Sequence, residues 1–412
     1  MKALGPVPAG FEAIDGVLAV AGRPVTHWVE EAGATPLFLY SADHVRRRVA
    51  DLRAALPERV ALHYAVKANP FPPLLELMAG LVDGFDIASG GELEIVRGAG
   101  LPLRKVSFAG PGKRDAELEA AIRAGVTLNL ESEGEAARAI AIGERLGQRP
   151  RLAVRVNPSF DLKGSGMKMG GGAKPFGVDA ERVPALVRTV IDSGAEWRGF
   201  HIFAGSQALD AEAIAETQGQ ALALAAQLAQ ESGAPLPHCN LGGGLGIPYF
   251  PGDTPVDLAL VGERLAAQMA MLPDVLRETE FCIELGRYLV GEAGVYLARI
   301  VDRKVSHGEV FLVTDGGLHH QLAASGNFGT VVRRNYPSAI ATRFGAEVEE
   351  EASIVGCLCT PLDKLADKGG FPRADVGELI AVFCAGAYGA SASPATFLGQ
   401  GPAREMLVET PR

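Results

Sequence analysis

Between residues 60 and 285 the sequence switches eight times from a short β-rich run to a stretch with helical periodicity, and few folds accept that rhythm. The runs are VALHYAVK (60–67), GFDIAS (84–89), KVSFAG (105–110), TLNLES (127–132), RLAVRVN (151–157), WRGFHIFA (197–204), HCNLGG (238–243) and EFCIEL (280–285). Between them lie segments such as RDAELEAAIRAG (114–125), EGEAARAIAIGERLG (133–147) and AEAIAETQGQALALAAQLAQESG (211–233). Regular alternation of strand and helix implies parallel strands, and eight units in roughly 225 residues match the size of an α/β (β/α)8 TIM barrel. A doubly wound sheet normally carries a GxGxxG turn after its first strand; none follows Val66-Lys67. The expected barrel spans 36–285.

From about residue 286 the texture changes. VYLARIVDRKV, GEVFLVTDGG, EVEEEASIVGCLC, ELIAVFCAGAY and EMLVET are separated by turn residues, with almost no long helical pattern. This predicts a C-terminal all-β domain over 286–412, which the short β pieces of residues 1–35 (FEAIDGVLAV, AGRPVTHW) are expected to join. One segment, SFDLKGSGMKMGGGAKPFG (159–177), is too rich in Gly and Lys to pack a core. It reads as a surface loop or as a lid over the barrel mouth.

Acidic residues outnumber basic ones by 49 to 39, and the net charge of −10 argues against nucleic acid or an anionic membrane as a partner. No apolar run approaches the roughly 20 residues of a membrane span, and the N-terminal stretch lacks a signal-peptide core. Five cysteines, an odd count, read as reduced thiols, so a cytoplasmic protein is expected. Cys357 and Cys359 are too close for a zinc knuckle, and His319-His320 has no neighbours at ligand spacing, so no metal is expected.

Chemistry in such barrels sits at the C-terminal strand ends. The first strand ends in Lys67, which reads either as a lysine reaching to the rim or as an amine whose burial lowers its pKa for attack on a carbonyl. The second end carries Asp86, Ser89 and Glu92; the fifth Arg155; the sixth His201, Phe203 and Ser206; the eighth Glu284, then Arg287. The seventh runs into Gly242-Gly243-Gly244, where missing side chains let backbone N–H groups approach a phosphate. A carbonyl-reactive lysine, a phosphate cradle and a carboxylate suited to a pyridine nitrogen together suit pyridoxal 5'-phosphate.

The chain resembles the fold-type III pyridoxal-phosphate decarboxylases, the diaminopimelate, ornithine and arginine decarboxylase family, whose barrel is alanine racemase-like. The resemblance rests on YAVKANP (64–70), FDIASGGELE (85–94), FAGPGKR (108–114), GSQ (205–207), NLGGGLGIPY (240–249), ELGR (284–287), CTPLD (359–363) and GAYG (386–389), in order and spacing. It implies a Schiff base on Lys67, with Asp86, His201 and Phe203 around the cofactor. Ser206, Gly243, Gly244, Arg287 and Tyr388 would hold the phosphate, and Glu284 the pyridinium. It further implies a head-to-tail homodimer, in which Cys359 acts in trans to reprotonate the substrate carbon. Thr360 and Asp363, together with Arg155, are the expected substrate contacts.

Three departures bear on the substrate. Phe203 stands where the family usually has a histidine. Thr360 stands where an acidic residue usually grips a distal ammonium, and GGLHHQLAASGNFG (316–329) lacks the Arg-Pro of diaminopimelate decarboxylases. The pattern is most similar to a subgroup found with bacterial exopolysaccharide/exosortase clusters, or acting on an amino acid carried as a thioester on an acyl carrier protein. The resemblance therefore implies an amino-acid decarboxylase, with a carrier-linked substrate as one form. A diaminopimelate decarboxylase acting on the free amino acid and a racemase on the same fold are the alternatives within the enzyme class. A non-catalytic pyridoxal-phosphate-binding barrel would lack the second domain, and a metal-dependent hydrolase would need clustered His and Asp ligands.

Overall fold

The computed structural model describes residues 1–327 and 333–411. It divides into two compact units: Val49–Gly246 with Pro255–Gly286, and Met1–Arg48 with Ile247–Thr254 and Arg287–Arg412.

The first unit is a closed barrel of eight parallel strands. They are β1 (Val60–Ala65), β2 (Gly84–Ile87), β3 (Val106–Phe108), β4 (Thr127–Leu130), β5 (Arg151–Asn157), β6 (Glu196–Ile202), β7 (His238–Asn240) and β8 (Glu280–Leu285). Each pairs with the next in sequence, and β8 closes onto β1 with Cys282 opposite Ala61 and Glu284 opposite His63. The second and fourth strands stop short of their β-rich runs because Ser89 and Ser132 start the next helices instead. The hydroxyls of Ser89 and Ser132 accept the N–H groups of Glu92 and Glu135 and cap those helices.

The second unit is built on a mixed sheet. Its long strand β9 (Gly294–Ser306) pairs antiparallel with β10 (Glu309–Thr314), with Leu379–Val382 and with Leu37–Ser41. The last of these pairings explains why residues 36–48 belong with the β unit and not with the barrel range read from sequence. Leu37, Leu39, Val295, Leu297, Leu379, Ala381 and Phe383 form its core with Trp28 and Val25. One expectation is corrected here, and one strand was not anticipated. THW of AGRPVTHW is helical (Val25–Ala32), because Val25, Trp28 and Val29 at i, i+3, i+4 bury one face and override β propensity. KLADKGGF (364–371), which lacks a β-rich signature, is a strand held by Glu350–Val355.

Residues 159–177 are neither core nor free loop. Met167 and Lys168 pair through their backbones with Ser206 and Gly205, and the Met169 and Gly170 N–H groups donate to the Ala204 carbonyl. Leu162 is buried. The segment is a strap across the end of β6. Among the described residues no helix is long and apolar enough to cross a membrane.

Candidate active site

On the barrel, Lys67 sits in a single helical turn directly after β1 (Val66–Ala68). Its side chain is 43% exposed, so of the two readings of the sequence the rim position is the one this chain's own packing gives. What acts on Lys67 is charge: its Nζ lies 3.7 Å from Glu284 Oε1. The Phe203 ring centroid is 5.5 Å away and forms an apolar wall beside the amine.

Glu284 is the electrostatic centre. It is almost fully buried at the end of β8, and His201 Nε2 donates to its Oε2 at 3.0 Å. Burial alone would raise its pKa, but the hydrogen bond from His201 and the Lys67 charge outweigh it and hold the carboxyl down at about 2. The Nδ1 of His201 is buried without a partner. Nearby, burial raises the pKa of Glu92, against an opposing backbone hydrogen bond from Ala88 and the Lys67 charge. Asp86 faces inward, with one oxygen 3.2 Å from His63 Nδ1 and the other accepting from Ser107.

The triple glycine is required by backbone geometry. Gly242 and Gly244 adopt left-handed φ of 73° and 107°, and a Cβ on Gly243 would lie 2.0 Å from the Glu284 carbonyl oxygen. Asn240 Oδ1 accepts the Gly242 N–H at 2.8 Å and pins the turn. Arg155 is buried against Glu131 at 3.1 Å, and that carboxylate also accepts the N–H groups of Gly110 and Gly177. Arg155 is thus tied through Glu131 to the loops that carry Gly110 and Gly177.

On the β unit, Arg287 Nη1 donates to Tyr249 Oη at 2.8 Å and its guanidinium lies 4.8 Å from the Tyr388 ring centroid. Its Nε is buried without a partner, and Tyr388 has the strained φ of 55°. Tyr249 was missed as a site residue, although it closes the NLGGGLGIPY motif.

Cys359 is exposed. Thr360 lies in the same turn, its Oγ1 accepting from the Leu362 N–H at 3.3 Å. Asp363 is 3% exposed, with Oδ1 accepting from the Leu318 N–H at 2.7 Å and Oδ2 from the Leu358 N–H at 2.9 Å. Each oxygen thus accepts one backbone N–H, which ties the carboxylate into the turn. Asp363→Ala should leave two buried donors unpaired and cost about 3 kcal/mol or more in denaturant unfolding. A residue that only touched substrate would leave stability unchanged. Phe328 and Gly329, the end of the GGLHHQLAASGNFG segment, lie outside the described residues.

On the barrel, an accessible primary amine, an ionised buried carboxylate 3.7 Å from it and a side-chain-free glycine turn are groups that pyridoxal phosphate needs. Fold and site define a barrel enzyme that works with this cofactor. Residues 42–291 match the family model of the pyridoxal-dependent decarboxylase, pyridoxal binding domain. The chain is 33% identical to the L-glutamyl-BtrI acyl-carrier protein decarboxylase of Niallia circulans, over 90% of this chain and 88% of that one. It is 32% identical to the diaminopimelate decarboxylase of Aquifex aeolicus, over 97% and 92%. A variant of the Helicobacter pylori diaminopimelate decarboxylase, solved in complex with L-lysine, superposes with a TM-score of 0.83 at 25% identity, covering 93% of this chain and 94% of that one. The chain belongs to the pyridoxal-dependent decarboxylases and is an amino-acid decarboxylase.

Proposed function

We propose that this enzyme removes the α-carboxylate of an amino acid carried as a thioester on an acyl carrier protein. One observation carries the reading: the CTPLD turn presents no exposed carboxylate. Thr360 is uncharged, and Asp363 is buried with each oxygen accepting a backbone N–H. A substrate with a distal ammonium would leave that charge unpaired at a cost of several kcal/mol. An acyl-extended substrate has no such charge. The 33% identity to a glutamyl-carrier decarboxylase supports the same reading. The alternative, decarboxylation of free diaminopimelate, is favoured by the 97% coverage of the Aquifex aeolicus relative.

Each residue then has a task. Bound pyridoxal phosphate supplies an electrophilic carbonyl and a ring that takes up the electron pair left when carbon dioxide departs. Lys67 would provide the amine that holds the cofactor. Glu284, kept ionised, would favour a proton at the pyridine nitrogen, and His201 fixes the carboxylate's orientation. Phe203 excludes water beside the Lys67 amine. Arg287, with Tyr388, Ser206, Gly243 and Gly244, serves the phosphate, and Asp86 lies among the inward-facing polar groups of the barrel. Cys359 protonates the substrate carbon, and its exposure in the free chain is consistent with a head-to-tail homodimer that uses it in trans. Five free thiols fit a cytoplasmic location.

Carbon dioxide release from a panel of free and carrier-loaded amino acids tests the substrate. A carrier-loaded acidic amino acid is expected to turn over, and Thr360→Glu is expected to raise activity toward a free basic one. Efficient turnover of free meso-diaminopimelate by the wild-type enzyme would favour the alternative.

A further inference from the structure

The interior layers of a barrel of this kind are ordinarily filled by branched apolar side chains. Below the level of Glu284 this barrel is polar instead. Asn129 Nδ2 donates to Ser107 Oγ at 3.1 Å, Ser107 donates to Asp86, and Asp86 Oδ2 lies 3.2 Å from His63 Nδ1. Beside His63 stand Cys282, two residues before Glu284 on β8, and His238, at the start of β7. One donor atom from each of His63, His238 and Cys282 lies within 4.8 Å of the others.

We propose that His63, His238 and Cys282 bind a single divalent ion of the zinc class inside the barrel, on the N-terminal side of Glu284. Two imidazoles and a thiolate are ligands this class prefers, and tetrahedral binding separates such atoms by about 3.5 Å, so shifts of about 1 Å complete the site. Asp86 supplies what a ligating imidazole usually has, a carboxylate hydrogen-bonded to its ring that fixes its orientation. The three ligands come from β7, β8 and β1, neighbours across the point where the barrel closes. An ion held there clasps the first strand to the last two.

The site is also open. His63 and His238 line a cavity of about 470 Å³, rimmed by Arg59, Arg104 and Arg198. Three protein ligands leave the fourth tetrahedral position to water, or to an anion drawn in by those arginines. Arg198 Nε is buried without a partner and is available to such an anion.

The test uses the holoenzyme after dialysis against a chelator, titrated with Co2+ and then Zn2+. One Co2+ per chain is expected, with the intense visible bands of four-coordinate cobalt and a thiolate charge-transfer band, and Zn2+ should displace it. Cys282→Ser should abolish the charge-transfer band, and His238→Gln should weaken binding about tenfold or more. Should Cys282→Ser fail to fold, His238→Gln and a second readout decide. Zn2+ should raise the wild-type Tm in a concentration-dependent way and leave that of His238→Gln unmoved. Absence of stoichiometric binding would overturn the proposal. So would binding that survives both substitutions, since the ion would then sit on the exposed Cys357 and Cys359.

Discussion

Lys67→Ala is expected to abolish turnover, by about 10³-fold or more, equivalent to ~4 kcal/mol of barrier. The loss follows from chemistry that no neighbour can supply, because Lys67 Nζ is the amine set against Glu284, 3.7 Å away. Lys67→Arg separates two roles. It keeps a cation beside Glu284 but removes the primary amine, and it should be as inactive as the alanine variant. Recovery of substantial activity in Lys67→Arg would mean that Lys67 acts only as a charge. Because the side chain is 43% exposed, neither substitution opens a core cavity; Lys67→Arg, which keeps the cation beside Glu284, should unfold near the wild-type midpoint, while Lys67→Ala loses the charge that favours ionised Glu284.

Glu284→Gln is expected to be the second most damaging change, lowering kcat about 10²–10³-fold, ~3–4 kcal/mol. The amide cannot carry the charge that retains a proton at a pyridine nitrogen, although it can still accept from His201. The same substitution has a pH signature. The Glu284 carboxyl is held at about 2, below its ordinary 4.5, so its contribution to stability is complete above pH 4.5 and is lost as pH falls toward 2. Acid unfolding of Glu284→Gln should therefore depend less steeply on pH across that window, measured by chemical denaturation at several pH values. An unchanged acid limb would mean that the His201 and Lys67 interactions do not favour the ionised form.

The barrel was legible because each of its strands is a local β-rich run and each strand end carries its own residue. Lys67, Phe203 and Glu284 are therefore legible in the sequence as neighbours. What local pattern could not carry is the fate of a side chain after folding. Asp363 reads as a substrate carboxylate, yet Leu318, which it binds, is distant in sequence. Lys67 reads equally as a rim lysine or a buried amine, and only the turn after β1 shows that it is open. Arg155 reads as a free cation at a strand end, while its partner Glu131 comes from the neighbouring strand's loop. The metal-ligand cluster was invisible for the same reason. His63, His238 and Cys282 have no spacing motif, and only the closure of β8 onto β1 makes them neighbours. Lys364–Phe371 escaped because Asp, Lys and Gly disfavour strands, and there the partner strand decides.

The account rests on one covalent assignment, that Lys67 holds the cofactor. Borohydride reduction of the holoenzyme followed by peptide mapping tests it directly. The account predicts the pyridoxyl label on the peptide containing YAVKANP, at Lys67 alone, and its absence from Lys67→Ala. A label on any other lysine, or none on a holoenzyme that releases carbon dioxide, would contradict it.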